Sequence, residues 1–205
     1  FRQPFSSETH LSYYRPFANS IMTPEQLIKE IKAGSVAAQQ CFFKRYSDRL
    51  LMLCRRYVKS REDAEERMLD GFCKFFHAIG SFEFISDAAL FAWLKQIMIN
   101  ECLAQLRKKN AFQLVSESEA MDIPVEEDAL NNLSAAALFS LVVQLPVGYR
   151  TVFNLYAVEG MGHKEIAGIL GISEGSSKSQ LWKARALLQK MIHANENDHA
   201  KQQSK

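Results

Sequence analysis

Apolar residues recur along this chain at the three- and four-residue spacing of a helix face. The pattern starts at Thr23-Pro24-Glu25-Gln26, where Thr23 caps free amides, Pro24 suits the first helical position and Gln26 completes a capping-box spacing. Leu27, Ile28 and Ile31 follow on one face. A second helix is predicted from Ser35 to Tyr57, with Phe42, Phe43, Tyr46, Leu50, Leu53 and Cys54 on its apolar side. A third opens at Ser60, whose following acids suit a positive helix end, and runs to about Ile79, where Gly80 stops it. Ser81 to Asp87 reads as a loop with exposed aromatics, and Ala88 to Lys109 as a long fourth helix. No proline interrupts the interval from Glu25 to Ile123, so nothing in it breaks a helix by lacking an amide donor.

The texture changes between Asn110 and Asn131, where six acids surround Pro124 without a lysine or arginine and the period fades, as in a solvated linker. Leu133 to Val143 is then predicted helical, Pro146 begins another helix that ends near Gly160, and two short elements flank Gly171. The expected architecture is all-α, with two small helical domains joined by an acidic linker. Its segments are an extended or disordered arm at 1–22, a helical domain at 23–109, the linker at 110–131, a second domain at 132–194 and a polar tail at 195–205.

Composition adds little until its distribution is considered. The 205 residues are 47% hydrophobic, enough to fill cores, and 25 basic against 23 acidic residues leave a net charge of only +2. Local charge is more telling: from Lys44 to Arg61 seven cations face a single acid, Asp48, while acids collect in the linker. Cys41, Cys54, Cys73 and Cys102 form no C-x-x-C pair and read as small buried residues of a reducing compartment. The five histidines have no metal spacing, and neither H-E-x-x-H nor a glycine-rich phosphate loop occurs, so no cofactor, metal or catalytic residue is expected. No apolar run approaches the ~20 residues of a membrane span, and the start lacks signal-peptide order. A cytoplasmic protein without membrane insertion is expected.

The second domain carries the sharper signal. Ile166 and Leu170 point one way, Gly171 can supply a left-handed turn, and Ser173 can cap a following helix whose Leu181, Ala184 and Leu188 lie at inward spacing. That is helix, turn, helix. Ser176, Lys178, Ser179, Gln180, Trp182, Lys183 and Arg185 are left largely outside. Short polar side chains among cations suit a major-groove reader, although a solvated amphipathic helix would show the same basic face.

Together these residues resemble a known family. Leu145-Pro146 through Arg150, Phe153-Asn154-Leu155, Glu159-Gly160, Glu165-Ile166-Ala167, Leu170 through Gly175, Lys178-Ser179 and Ala184-Arg185 are similar to region four of the extracytoplasmic function (ECF) sigma factors. Phe43, Tyr46, Asp63-Ala64-Glu65-Glu66, Asp70, Phe72, Lys74, Ser81-Phe82, Trp93-Leu94, Asn100 and Leu106 through Lys109 resemble region two. The likeness runs in family order from about Pro24 to Met191.

The resemblance implies a non-enzymatic factor that binds core RNA polymerase, selects a promoter and assists its opening, with an anti-sigma factor as a further partner. It maps polymerase docking to Asp63, Glu66, Asp70, Phe72 and Lys74, where Arg67 and Leu69 depart from the usual residue types. Phe72, with Phe75 and Phe76, is also readable as core, and the acids as the solvated first turns of a helix. Capture of the unpaired minus-ten strand falls to Phe82, Phe84, Lys95, Gln96, Asn100, Arg107, Lys108 and Lys109, with Trp93 read as a core anchor. Minus-thirty-five reading in the major groove falls to Ser176, Lys178, Ser179, Gln180, Trp182 and Lys183, with Arg185 on phosphate; Ser177 stands where a valine commonly packs inward. The alternative is a helix-turn-helix regulator that binds an operator directly.

Overall fold

The computed structural model describes residues 22–108 and 134–203; the arm as far as residue 21, the linker at 110–131 and Lys109 lie outside the described residues. Within them all regular structure is helical.

The first unit contains α1 (Pro24–Lys32), α2 (Val36–Tyr57), α3 (Arg61–Ala78) and α4 (Asp87–Lys108). Local chemistry sets the starts of the first three. The Gln26 amide donates to Thr23 Oγ1 (3.2 Å) and the Thr23 amide to Gln26 Oε1 (2.9 Å), closing the capping box. Ser35 and Ser60 accept from the third amide of α2 and α3. After Ala78 the chain tightens into a 3-10 turn, Ile79–Ser81, which contains Gly80. Packing α2, α3 and α4 together buries an aromatic cluster in which Phe42 stacks on Phe75 (centroids 4.8 Å apart) and meets the edge of Phe72 (6.5 Å). Each fully buried ring of this kind contributes about 1.5–3 kcal/mol of burial. Gly71 leaves room for the Met98 side chain of α4, which a Cβ there would meet at Sδ.

The second unit contains α5 (Ala135–Val142), α6 (Val147–Phe153), α7 (His163–Leu170) and α8 (Glu174–Gln203). The single helix expected from Pro146 to near Gly160 instead widens after α6 into a π-helical turn, Asn154–Val158, closed by the Glu159 amide on Asn154 O (3.0 Å). This turn carries Asn154 and Glu159 toward the first unit. The α8 backbone stays helical to Gln203, so most of the polar tail continues that helix.

The two units share one contiguous buried cluster, so their cores are joined. Polar groups cement the seam. Arg150, 1% exposed, donates to Val143 O (3.0 Å) and Leu145 O (3.3 Å) beyond α5 and to Tyr57 O (2.9 Å) at the end of α2. Asn154 Nδ2 donates to Arg56 O (2.8 Å). The last carbonyls of a helix lack internal partners and carry partial negative charge, so a guanidinium there satisfies both demands. No carboxylate faces Arg150 among its hydrogen-bond partners, and burial lowers its pKa.

Candidate nucleic-acid and polymerase interfaces

Gly171 ends α7 at φ 68° and ψ 34°, the left-handed conformation the turn requires, and Ser173 Oγ accepts from the Ser176 amide (3.0 Å) to cap α8. Ile166, Leu170, Leu181, Ala184 and Leu188 are buried beneath it. The expected helix-turn-helix therefore forms from the residues that predicted it.

Its outer face differs from the expected one. Ser176, Lys178 and Ser179 are exposed; Trp182, Lys183 and Arg185 are half-buried. Gln180 is 8% exposed, which corrects its placement on the outer face. It lies at the back of a polar recess of about 290 Å³ with Ser176, Ser179, Lys183 and Tyr149 on the walls, and its Oε1 has no hydrogen-bond partner. The packing of α8 against α6 brings Tyr149 there, a neighbour with no sequence signal. Lys178 pairs with Glu174 (2.8 Å), and its ammonium holds the Glu174 carboxyl below the usual carboxylate range. Buried Ser177 has a specific partner, His163 Nδ1 at 2.9 Å, and the His163 ring stacks on Tyr156 (4.6 Å). That contact explains why a hydroxyl is tolerated where an apolar side chain would otherwise pack.

On α4, Gln96, Asn100, Arg107 and Lys108 are exposed, and Gln96 Nε2 donates to Asn100 Oδ1 (3.0 Å). Two cations are already engaged with the second unit: Lys95 with Glu159 (2.6 Å) and Arg107 with Ile169 O (3.2 Å). The loop aromatics are not free either. Phe82 lies parallel on Trp93 (4.6 Å, 4°) and Phe84 is half-buried against the core, which corrects the expectation of exposed rings. The apolar side chain that the loop displays is Ile85. Trp93 also tilts against Phe75 (5.0 Å), an anchoring position.

On α3, Glu66 and Lys74 are exposed and Asp63 and Asp70 half-exposed. Arg67 holds Glu66 and Asp70 (2.9 Å to the latter), and Lys74 reaches Glu101 (2.6 Å). Phe72 is only 2% exposed, so its expected place on the docking surface is corrected: it belongs to the aromatic core. Leu69, 50% exposed beside these acids, presents the apolar surface instead. Its break from the inward spacing of α3 was the sequence signal for it. Of the cysteines, Cys54 and Cys102 are buried, whereas Cys41 and Cys73 are exposed, contrary to expectation. A sulfur contact to Cys54 and burial raise the Cys102 thiol pKa.

Comparison with known proteins bears on this arrangement. Residues 42–112 match the family model for sigma-70 region 2, and residues 135–188 the model for sigma-70 region 4. An ECF RNA polymerase sigma factor, SigM of Mycobacterium tuberculosis, is 29% identical over 167 residues, which span 82% of this chain and 83% of that protein. The chain belongs to the ECF sigma factors. The ECF RNA polymerase sigma-E factor of Haemophilus influenzae is 25% identical over 184 residues, covering 83% of this chain and 96% of that protein. The RNA polymerase sigma-H factor of Pseudomonas aeruginosa is 25% identical over 181 residues, 82% and 93% respectively. The first helical unit is thus region two and the second region four. Among the described residues no helix is long and apolar enough to cross a membrane.

Proposed function

We propose that this sigma factor brings core RNA polymerase to its promoters through three surfaces of the present fold. Region four reads the minus-thirty-five element with Ser176, Lys178 and Ser179 at the exposed start of α8, while Lys183 and Gln180 receive a group entering the recess between them. Region two holds the unpaired minus-ten strand along Gln96, Asn100, Arg107 and Lys108 of α4. Leu69, with Glu66 and Asp70 on the same helix and Asp63 nearer its start, docks on polymerase, the leucine supplying buried area and the acids setting register. The observation that carries this reading is the formed helix-turn-helix, with Gly171 left-handed and polar residues displayed at the start of α8.

The protein performs no chemistry of its own in this reading and acts in the cytoplasm, where polymerase and promoter are. An anti-sigma factor is the regulatory partner the family resemblance implies. Core-dependent runoff transcription from a promoter library tests the proposal. Transcripts whose start sites share two upstream elements are expected with core enzyme, and tight operator footprinting by the chain alone would favour a direct regulator instead. Lys178→Ala with Ser179→Ala should reduce discrimination at the upstream element alone.

A further inference from the structure

Glu159 lies in region four, yet both of its charged neighbours belong to region two. Its side chain is 3% exposed, with Lys95 Nζ 2.6 Å from Oε2 and Arg56 Nη2 3.9 Å from Oε1. Neither carboxylate oxygen has a hydrogen-bond partner of good geometry despite the short Lys95 distance. A buried carboxylate is held well only when its lone pairs are satisfied; Arg56 comes no nearer to Oε1 than 3.9 Å, so one side of the Glu159 carboxylate is left unsatisfied between two cations. Lys95 is one residue from Gln96 on α4, beside the exposed Gln96 and Asn100. Arg56 borders an open groove of about 630 Å³ between the units, and the Arg56 and Lys95 side chains keep 25% and 34% exposure, so both cations can be reached from solvent.

We propose that Arg56 and Lys95 form a binding site for a backbone phosphate of the unpaired promoter strand, and that Glu159 fills it while region four is docked on region two. DNA and region four then compete for the same two cations, and strand capture is coupled to separation of the units. The proposal rests on the reading of α4 as the strand-binding surface. It also gives the cationic stretch around Arg56 a target.

The test is fluorescence anisotropy of the full chain with a labelled single-stranded oligonucleotide of mixed sequence, titrated across a range of salt. Glu159→Gln should bind more tightly, and log K should fall more steeply with log salt by about 0.7 for one newly held phosphate, which corresponds to about fivefold at 0.1 M. Adding Arg56→Ala and Lys95→Ala to that variant should abolish the gain. Glu30→Gln, a neutralised exposed acid remote from the seam, should leave affinity unchanged. An unchanged affinity and slope in Glu159→Gln, or a gain that survives loss of both cations, overturns the proposal. If Glu159→Gln fails to fold by circular dichroism, Glu159→Asp keeps the charge, shortens its reach and should show a smaller gain; no gain overturns the proposal equally. Asn100→Ala separates the two levels. If it weakens binding while Glu159 variants do nothing, only the competition is refuted; if no variant of α4 alters strand binding, the reading of that surface fails too.

Discussion

Replacing Arg150 by methionine removes the polar centre of the seam while keeping an apolar stem of similar length. The guanidinium makes three hydrogen bonds to main-chain carbonyls, of Val143, Leu145 and Tyr57. Bonds from a charged donor contribute about 1.5–3 kcal/mol each, and methionine also strands three carbonyls in the interior. Against that, the buried cation has no carboxylate among these partners, so its removal recovers several kcal/mol of desolvation. The balance is a loss of about 2–4 kcal/mol, because the geometry of three directed bonds is not replaced by a thioether. For a chain of this size each kcal/mol moves the melting temperature by roughly 2–4 °C, so a fall of about 5–15 °C is expected in thermal circular dichroism. Arg150→Lys should fall between, since an ammonium keeps charge but cannot span three acceptors in a plane. A methionine variant melting within about 2 °C of the parent would refute this account and show that the cation's burial cancels its bonds.

Leu69→Arg should weaken core polymerase binding at least tenfold, an order of about 1.4 kcal/mol, while leaving melting unchanged because the side chain is half in water; unaltered core affinity in a pull-down titration would remove Leu69 from the docking surface. Thiol labelling of the native chain should show two fast groups, Cys41 and Cys73, and two that react only on unfolding, Cys54 and Cys102. The Glu174–Lys178 pair gives a pH dependence of known sign. The folded-state carboxyl pKa lies below its ordinary value of 4.5, so the pair's contribution is present above that value and is lost as pH falls through the depressed one. Comparing acid unfolding of the parent with Lys178→Ala should show the difference between them shrinking only in that acidic window.

Much of the fold is written in local chemistry. The capping residues Thr23, Ser35, Ser60 and Ser173 act within three residues of themselves, and Gly171 answers a conformational need at its own position, so a linear reading finds them. The helix-turn-helix and the acidic face of α3 were legible for the same reason. Burial of individual side chains was less so: Gln180, Phe72 and Phe82 carry the right chemistry for recognition, but Gln180 turns into a recess beside Tyr149, Phe72 joins the aromatic core and Phe82 lies on Trp93. Leu69 and Ile85 take up the exposed apolar role.

What the sequence by itself determined is therefore the helical elements, their ends and the division into regions two and four, since periodicity and capping are short-range properties. The seam between those regions belongs to the tertiary structure alone. Arg150, Asn154 and Glu159 meet Tyr57, Arg56 and Lys95 across separations of 64 to 103 residues or so in sequence, set by how α2 and α6 pack. No residue pattern specifies such partners, because main-chain carbonyls at a helix end carry no side-chain identity and a carboxylate attracts whichever cation folding brings near.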